Sequence, residues 1–296
     1  MITVFGSANL DLIGTVSRIP KPGETVPGDM FSSAAGGKGA NQALAARRAG
    51  ADVRHVGAVG TDAFAGEAIG LLQKDGVDLS ALARREGPTG VAMIFVDPQG
   101  ENVIAILPGA NGTVSAADAD AALGSLPADA VLVLQQEVPQ AATKRALEIA
   151  KARGLRSILN TAPFLTTTPE VAPLATILVA NETEFALLCG GRTEPLDGLM
   201  RDWAREKKQT IIVTLGPDGA KAVTAEGQAI AVPALKVVPV DTVGAGDTFV
   251  GYLAAGLDAG LSLETAMTRA AKAASLACLK PGAQPAVPWA RGVDAA

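Results

Sequence analysis

Short, almost wholly apolar runs alternate along the chain with longer stretches in which apolar residues recur every three or four positions. The short runs, in "ITVFGS", "DVRHVGAVG", "AVLVLQQE", "SILNTAP", "TILVANE" and "TIIVTLG", suit strands of a parallel sheet covered on both faces. The longer stretches suit helices. "KGANQALAARRAG" has helical spacing and is closed by Gly50, "DAFAGEAIGLLQKDG" follows the next strand, and "PQAATKRALEIAKARG" opens at Pro139 and closes at Gly154. The alternation predicts an α/β fold with a doubly wound, mostly parallel central sheet flanked by helices.

Two regions break this rhythm. Residues 10–35 carry Pro, Gly and β-formers without helical period, and residues 89–107 read as two strands joined by a turn through Asp97, Pro98 and Gly100. They are expected to pair as a small separate β-sheet that covers one edge of the body as a lid. The body is then 1–9, 36–88 and 108–296, and the lid 10–35 and 89–107. No internal repeat or low-complexity tract is visible, and the final "ARGVDAA" reads as a loose tail.

Composition narrows the picture. The chain has 296 residues, 48% of them hydrophobic but only 3% aromatic, so its large core must be built from Ala, Val, Leu and Ile. A net charge of −5 with no basic block argues against a nucleic-acid partner. No apolar run reaches the ~18 residues of a membrane span, and "MITVFGSANLD" lacks a charged-then-apolar leader. The expectation is a cytoplasmic protein with no membrane partner. Cys189 and Cys278 lie in unrelated segments without metal-ligand spacing and read as reduced thiols. His55, the one histidine, sits in an apolar strand-like run and reads as structural, which leaves no Ser-His-Asp or Cys-His mechanism.

The candidate chemistry follows the strands. Ligands of an open parallel sheet collect beyond the carboxyl ends of its strands, and polar clusters follow the strand-like runs here. They are Asn9 and Asp11, Glu137, Asn181 and Glu184, and Thr214 to Gly216; "DTVGAGDTF", Asp241 to Phe249, follows the strand-like "ALKVVPV". Gly244 and Gly246 leave backbone N–H groups uncovered at the start of a helix, where orphan donors and the helix dipole favour an anion such as phosphate. Asp247 stands in the same turn. A carboxylate there repels a passively bound phosphate, but it suits a base that takes the proton of a hydroxyl attacking that phosphate. The bland alternative is an acid favoured by the dipole in a first helical turn.

"GGKGANQ", Gly36 to Gln42, lacks the G-K-[ST] ending of a Walker loop, and "GSANLD" supplies no dinucleotide fingerprint. What remains is a glycine loop of close approach. Its Lys38 and Asn41 suit a polyhydroxylated ligand. In "NETE", Asn181 and Glu184 stand three apart and could hold a hydrated Mg²⁺ over a triphosphate. A helix-entry cap is the simpler reading of that pair.

The order of "GSANLD", "GGKGANQA", "TGVAMIFV", "GENVI", "NETE", "TLGPDG", "DTVGAGDTF" and "GAQPAVPW" resembles the ribokinase-like (PfkB-type) carbohydrate kinase family across essentially the whole chain. The "DTVGAGDTF" signature is specific to that family, while "GGKGANQ" and "GAQPAVPW" resemble its ribokinase branch.

The resemblance implies a central ATP-binding α/β domain and a β lid that closes over a sugar, lids of this kind often pairing into a homodimer. It implies that Asp247 is the catalytic base and that Gly244, Ala245 and Gly246 supply the anion-hole N–H groups. Asn9, Asp11, Gly37, Lys38, Asn41 and Glu137 match sugar-contacting positions, Asn181 and Glu184 the Mg·ATP motif, and Thr214, Gly216 and Gly219 nucleotide-contacting positions. A monovalent cation, K⁺, is implied at Asp241, Val243, Ala277, Lys280, Gly282 and Ala286, several acting through carbonyls. Ala286 departs from the serine common there, so a side-chain oxygen is missing and weaker activation is expected.

The implied reaction is transfer of the γ-phosphoryl group of ATP to the primary hydroxyl of a furanose, D-ribose foremost. Fructose, 2-keto-3-deoxygluconate, another pentose or a nucleoside such as adenosine remain rival acceptors. A sugar or nucleotide sensor without turnover is the reading from another class, and a Rossmann dehydrogenase is disfavoured for lack of its fingerprint.

Overall fold

The computed structural model describes residues 1–192 and 194–296. Its strands are β1 (Ile2–Phe5), β2 (Asn9–Val16), β3 (Gly28–Gly36), β4 (Val53–Val59), β5 (Leu82–Arg84), β6 (Gly90–Val96), β7 (Asn102–Leu107), β8 (Val131–Leu134), β9 (Arg156–Asn160), β10 (Ile177–Asn181), β11 (Thr210–Thr214), β12 (Ala220–Val223) and β13 (Ala229–Val232). The helices are α1 (Lys38–Arg48), α2 (Phe64–Lys74), α3 (Ala116–Leu123), α4 (Gln140–Arg153), α5 (Thr168–Val171), α6 (Glu182–Leu188), α7 (Leu196–Lys207), α8 (Ala245–Asp258), α9 (Leu263–Ala277) and α10 (Ala290–Asp294).

A nine-stranded sheet runs β13-β12-β11-β10-β9-β8-β1-β4-β5. Its pairs from β5 to β11 are parallel, and only β11–β12 and β12–β13 are antiparallel. Strand alternation divides the core between the two faces. Ile2, Val4, Val131 and Val133 pack with Leu44 of α1, Val250 of α8 and Met267 of α9 on one face. Phe5, Leu132 and Leu134 pack with Leu123 of α3, Leu147 of α4 and Trp203 of α7 on the other. Each large apolar side chain so buried is worth ~1.5–3 kcal/mol. This is the doubly wound α/β body that the alternation predicts.

A second, four-stranded sheet has the order β3-β2-β6-β7. β2–β3 and β6–β7 pair antiparallel and β2–β6 parallel. The two non-helical regions thus lie side by side. β7 is exposed at every position, and Phe31 on β3 is 70% exposed.

Two expectations fail. The strand-like Ala234–Val240 joins no strand. Pro233 and Pro239 have no N–H to donate to a ladder, and the segment runs over the surface with Val238 86% exposed. The terminal "ARGVDAA" is not loose either. It contains α10, whose Val293 is fully buried and whose Asp294 pairs with Arg269 at 2.8 Å. One apolar side chain at the right register docks the tail.

Candidate functional site

Helix α8 carries the site to the rim of the sheet. Its residues from Asp247 to Leu257 are all buried, because α1 and α9 enclose it. Gly251 allows the close approach to α1: a Cβ there would stand 2.6 Å from the Gln42 carbonyl oxygen. The first turns of α1 and α8 therefore meet. The Asn41 amide donates to Asp247 Oδ2 at 2.9 Å and the Gln42 amide to Oδ1 at 2.8 Å. Asp247 is 7% exposed, its carboxylate held on both oxygens.

Gly244 caps α8 with φ 76°, and a Cβ on it would come within 2.8 Å of Ala283. That left-handed turn is a glycine conformation. The Ala245 N–H turns back to the Thr242 carbonyl at 3.3 Å. The N–H groups of Gly246 and Asp247 have no acceptor among the described residues. Unpartnered donors at a helix N-terminus make an anion site.

The ends of the parallel strands complete the rim. Asn9 opens β2, and its Oδ1 accepts from the Asn111 amide at 2.7 Å. Asp11, two residues on, lies over Gly36, where any Cβ would overlap its carboxylate. Gly37 has φ 86° and precedes α1, presenting Lys38 to the cleft. Glu137, beyond β8, accepts from the Ser7 hydroxyl at 2.6 Å and the Lys38 N–H at 2.9 Å. It therefore ties β1 to the entry of α1.

The charges act on one another. Burial, then the nearby carboxylates of Glu137 and Asp247, push the pKa of Asp11 up to about 6, against the opposing pull of Lys38. Asp247 raises the Lys38 pKa above its usual value, aided by Glu137, Glu184 and Asp11 and opposed by burial. Lys38 is thus held as a cation among acids.

Asn181 and Glu184 form a capping box at α6. The Asn181 side chain accepts from the Glu184 N–H at 2.8 Å, and Glu184 Oε2 accepts the Asn181 N–H at 3.1 Å and the Thr161 hydroxyl at 2.8 Å. The simpler reading of "NETE" is what the backbone uses. Both side chains nonetheless line a cleft of about 170 Å³ with Lys38, Gly244, Gly246 and Asp247. A second chamber of about 410 Å³ adjoins it, since Thr214 and Gly246 line both. Gly216, Gly219, Val237, Phe249 and Cys278 give that chamber a largely apolar wall, suited to a flat heterocycle.

The candidate cation positions lie on the loop before α8, at the last residue of α9 and on the loop that follows it. Asp241 joins them, its Oδ1 accepting from the Val243 N–H at 2.9 Å and its Oδ2 from the Gly282 N–H at 2.8 Å. The Ala277 carbonyl accepts from the Lys280 N–H at 3.3 Å, and Ala286 is buried. None of the six lines either chamber. Arg48 braces the second loop. It donates to the carbonyls of Gln284 and Val287 at 2.9 and 2.8 Å and pairs with Asp75 at 2.7 Å. His55 is fully buried, with its pKa pushed down to about 4 by that burial, and does not line the cleft.

Several residues escape a reading by motif alone. Asn111 clamps Asn9. Gln42, Gln135 and Asn160 form a buried amide cluster beneath Asp247. The available signal was position, because Gln135 and Asn160 stand at the carboxyl ends of β8 and β9 and Gln42 ends "GGKGANQ".

A model of the pfkB family of carbohydrate kinases matches residues 1–290. A ribokinase of Schizosaccharomyces pombe is 37% identical over 306 residues, covering 99% of this chain and 96% of the relative. Among solved structures, a ribokinase of Thermotoga maritima superposes with a TM-score of 0.90 at 32% identity over 99% of this chain and 98% of the other. An Arabidopsis thaliana ribokinase complexed with ribose and ATP superposes with a TM-score of 0.88 at 30% identity over 99% and 97%. With family model, sequence and fold agreeing over nearly the whole length, the chain belongs to the pfkB family of carbohydrate kinases.

Proposed function

We propose that this carbohydrate kinase transfers the γ-phosphoryl group of ATP to the primary, C5-linked hydroxyl of D-ribose, forming ribose 5-phosphate. The observation that carries the reading is Asp247 itself. Its carboxylate shares one cleft with the unpartnered N–H groups at the start of α8. The acceptor hydroxyl gives its proton to Asp247 as it attacks the γ-phosphorus, and the N–H groups of Gly246 and Asp247, with Gly244 shaping the turn, take up charge on the moving phosphoryl group. Ala245 contributes less, since its N–H already serves Thr242.

Asn9, Asp11, Gly37, Lys38 and Glu137 hold the sugar's other hydroxyls. Asn41 acts mainly through Asp247, to which its amide is already committed. Thr214, Gly216 and Gly219 line the chamber that takes the adenine and ribose of ATP. The small sheet, residues 10–35 and 89–107, acts as a lid on the body, residues 1–9, 36–88 and 108–296, and its closure excludes water.

The donor sets suit two cations. Glu184, with one carboxylate oxygen free of protein donors among the described residues, and Asn181 would hold hydrated Mg²⁺, which neutralises phosphate charge when bound. Asp241, whose oxygens keep further lone pairs, and the carbonyls of Val243, Ala277, Lys280 and Gly282 would hold K⁺, adding positive charge beside the anion hole. Ala286 offers no side-chain oxygen. The exposed apolar side chains of the small sheet, Phe31, Ile104, Ile106 and Leu107 among them, support a homodimer through the lid. Use of ATP and two free thiols, Cys189 and Cys278, fit a cytoplasmic setting.

The test is ADP release with D-ribose, D-fructose, adenosine and 2-keto-3-deoxygluconate in parallel, with and without potassium. Preferred turnover of D-ribose is expected. Preference for another acceptor transfers the reading to that substrate, and no turnover with any acceptor overturns it in favour of a sensor.

A further inference from the structure

Beneath Asp247 lies a chain of buried amides, of which Asn160 lines the cleft while Gln42 and Gln135 do not. Gln42, on the first turns of α1, is fully buried and makes bonds in three directions. Its Nε2 donates to Asp247 Oδ1 at 2.8 Å and to Asn160 Oδ1 at 3.1 Å, and its Oε1 accepts from Gln135 Nε2 at 2.6 Å. Asn160 in turn donates to the Val179 carbonyl at 3.2 Å. The amide orientation is forced. An ionised carboxylate only accepts, so Gln42 must turn its NH₂ toward Asp247, which leaves its oxygen for the Gln135 NH₂.

We propose that Gln42 is a positioning residue for phosphoryl transfer, holding Asp247 in the rotamer and charge state of a working base. The proposal rests on the kinase reading above. The rigid ends of β8 and β9 hold Gln42 through Gln135 and Asn160, and Gln42 holds the base. With Asn41 on the other oxygen, each carboxylate oxygen is engaged by one amide and retains a lone pair for the incoming hydroxyl. The bond Gln42 accepts from Gln135 polarises its own N–H groups and strengthens the one to Asp247.

The geometry separates this role from ligand binding. Gln42 is sealed from solvent, and Lys38, Asn181 and Glu184 line the cleft where Gln42 does not. The charged groups facing Asp247 are Lys38 and Asp11, with Glu137 and Glu184 acting around Lys38. Loss of a donor from Gln42 leaves these in place, so any change in the behaviour of Asp247 reports on Gln42.

The experiment compares wild type, Gln42→Met and Gln135→Met as full-length proteins, with D-ribose and ATP as probes, reading kcat, both KM values and the pH profile of kcat. Methionine keeps length and apolar bulk but donates nothing. For Gln42→Met we expect kcat to fall about 10- to 100-fold, the scale of one hydrogen bond to a charged group. Both KM values should stay within about threefold, and the acid limb of kcat should move to higher pH, since a carboxylate that loses a donor ionises less readily. Gln135→Met should show the same pattern more weakly.

Unchanged kcat with an unmoved acid limb in a folded Gln42→Met protein overturns the proposal, as does a rise in KM for D-ribose at constant kcat. Should Gln42→Met fail to fold, Gln135→Met decides: a fall in kcat at constant KM supports the role, and unchanged kcat overturns it. Failure of the kinase reading appears separately, as absence of turnover in the wild type.

Discussion

The side-chain amide of Asn41 meets Oδ2 of Asp247 at 2.9 Å, joining residues 206 positions apart. An amide that reads from the sequence as a sugar ligand is bonded to the carboxylate we propose as the base. Its own Oδ1 is buried without a partner among the described residues, so what Asn41 offers to a ligand is an acceptor. This bond and its Gln42 counterpart set what the carboxylate can do, and they sharpen the first prediction.

Asp247→Asn should lower kcat by at least ~100-fold, the scale of general-base effects, while D-ribose still binds. The replacement removes the base and turns an NH₂ group toward the amide donors of Asn41 or Gln42, where a carboxylate accepted both. Calorimetric titration with D-ribose beside an ADP-release assay checks it. Near-normal turnover would contradict the role of Asp247.

Asp11 should couple stability and sugar binding to pH. Its pKa, raised from 3.8 to about 6, means the folded chain binds this proton more tightly than the unfolded chain. The sign follows: stability falls as pH rises from about 4 to about 6 and stays lowered above that. Asp11→Asn should therefore be more stable than wild type at pH 7, by on the order of 1–3 kcal/mol, with the advantage vanishing below about pH 4. KM for D-ribose in the wild type should rise as pH falls through about 6, because a protonated Asp11 loses acceptor capacity. Urea melts at pH 4 and 7, with KM measured from pH 5 to 8, give both answers.

Gly244→Ala should damage stability and activity together. A side chain at φ 76° is strained, and its Cβ would press on Ala283 at 2.8 Å. The cost should be about 1–3 kcal/mol, and relaxation of the turn should swing the first N–H groups of α8 off their line. A thermal melt beside kcat measures each part. A variant with wild-type turnover would separate the anion hole from this turn.

Potassium should activate, but weakly. Equal rates in potassium and in tetramethylammonium chloride at matched ionic strength would remove the cation from the scheme. Ala286→Ser, which supplies the absent oxygen, should lower the potassium concentration needed for half-activation.

Glutamate in place of Phe31 and Ile106 should convert a dimer to a monomer in light scattering. Both side chains are exposed in the single chain, Phe31 at 70% and Ile106 at 46%, so the melting temperature of the monomer should change little. A wild-type protein already monomeric at micromolar concentration would exclude the lid-mediated homodimer.

Much of the molecule was legible before folding was considered. The period of the apolar residues separates the strands of the body from its helices, and the α/β architecture follows because such strands must be covered on both faces. The loss of helical period over 10–35 and 89–107 marks the second sheet. The pattern misled where covalent detail outweighed it. Ala234–Val240 has the composition of a strand, yet Pro233 before it and Pro239 within it have no N–H to give a ladder. The tail looks featureless, yet Val293 fills a place in the core.

The local order of glycines and acids around Gly244 and Asp247 determined that free N–H groups and a carboxylate meet at one helix start, because both depend on backbone within a single turn. Which amides grip that acceptor was decided only by tertiary packing. Gln42, Gln135 and Asn160 come from separate segments, and no spacing along the chain encodes their approach. Gln42 meets Asp247 because Gly251 lets α8 press onto α1, and it meets Gln135 and Asn160 where α1 passes the ends of β8 and β9.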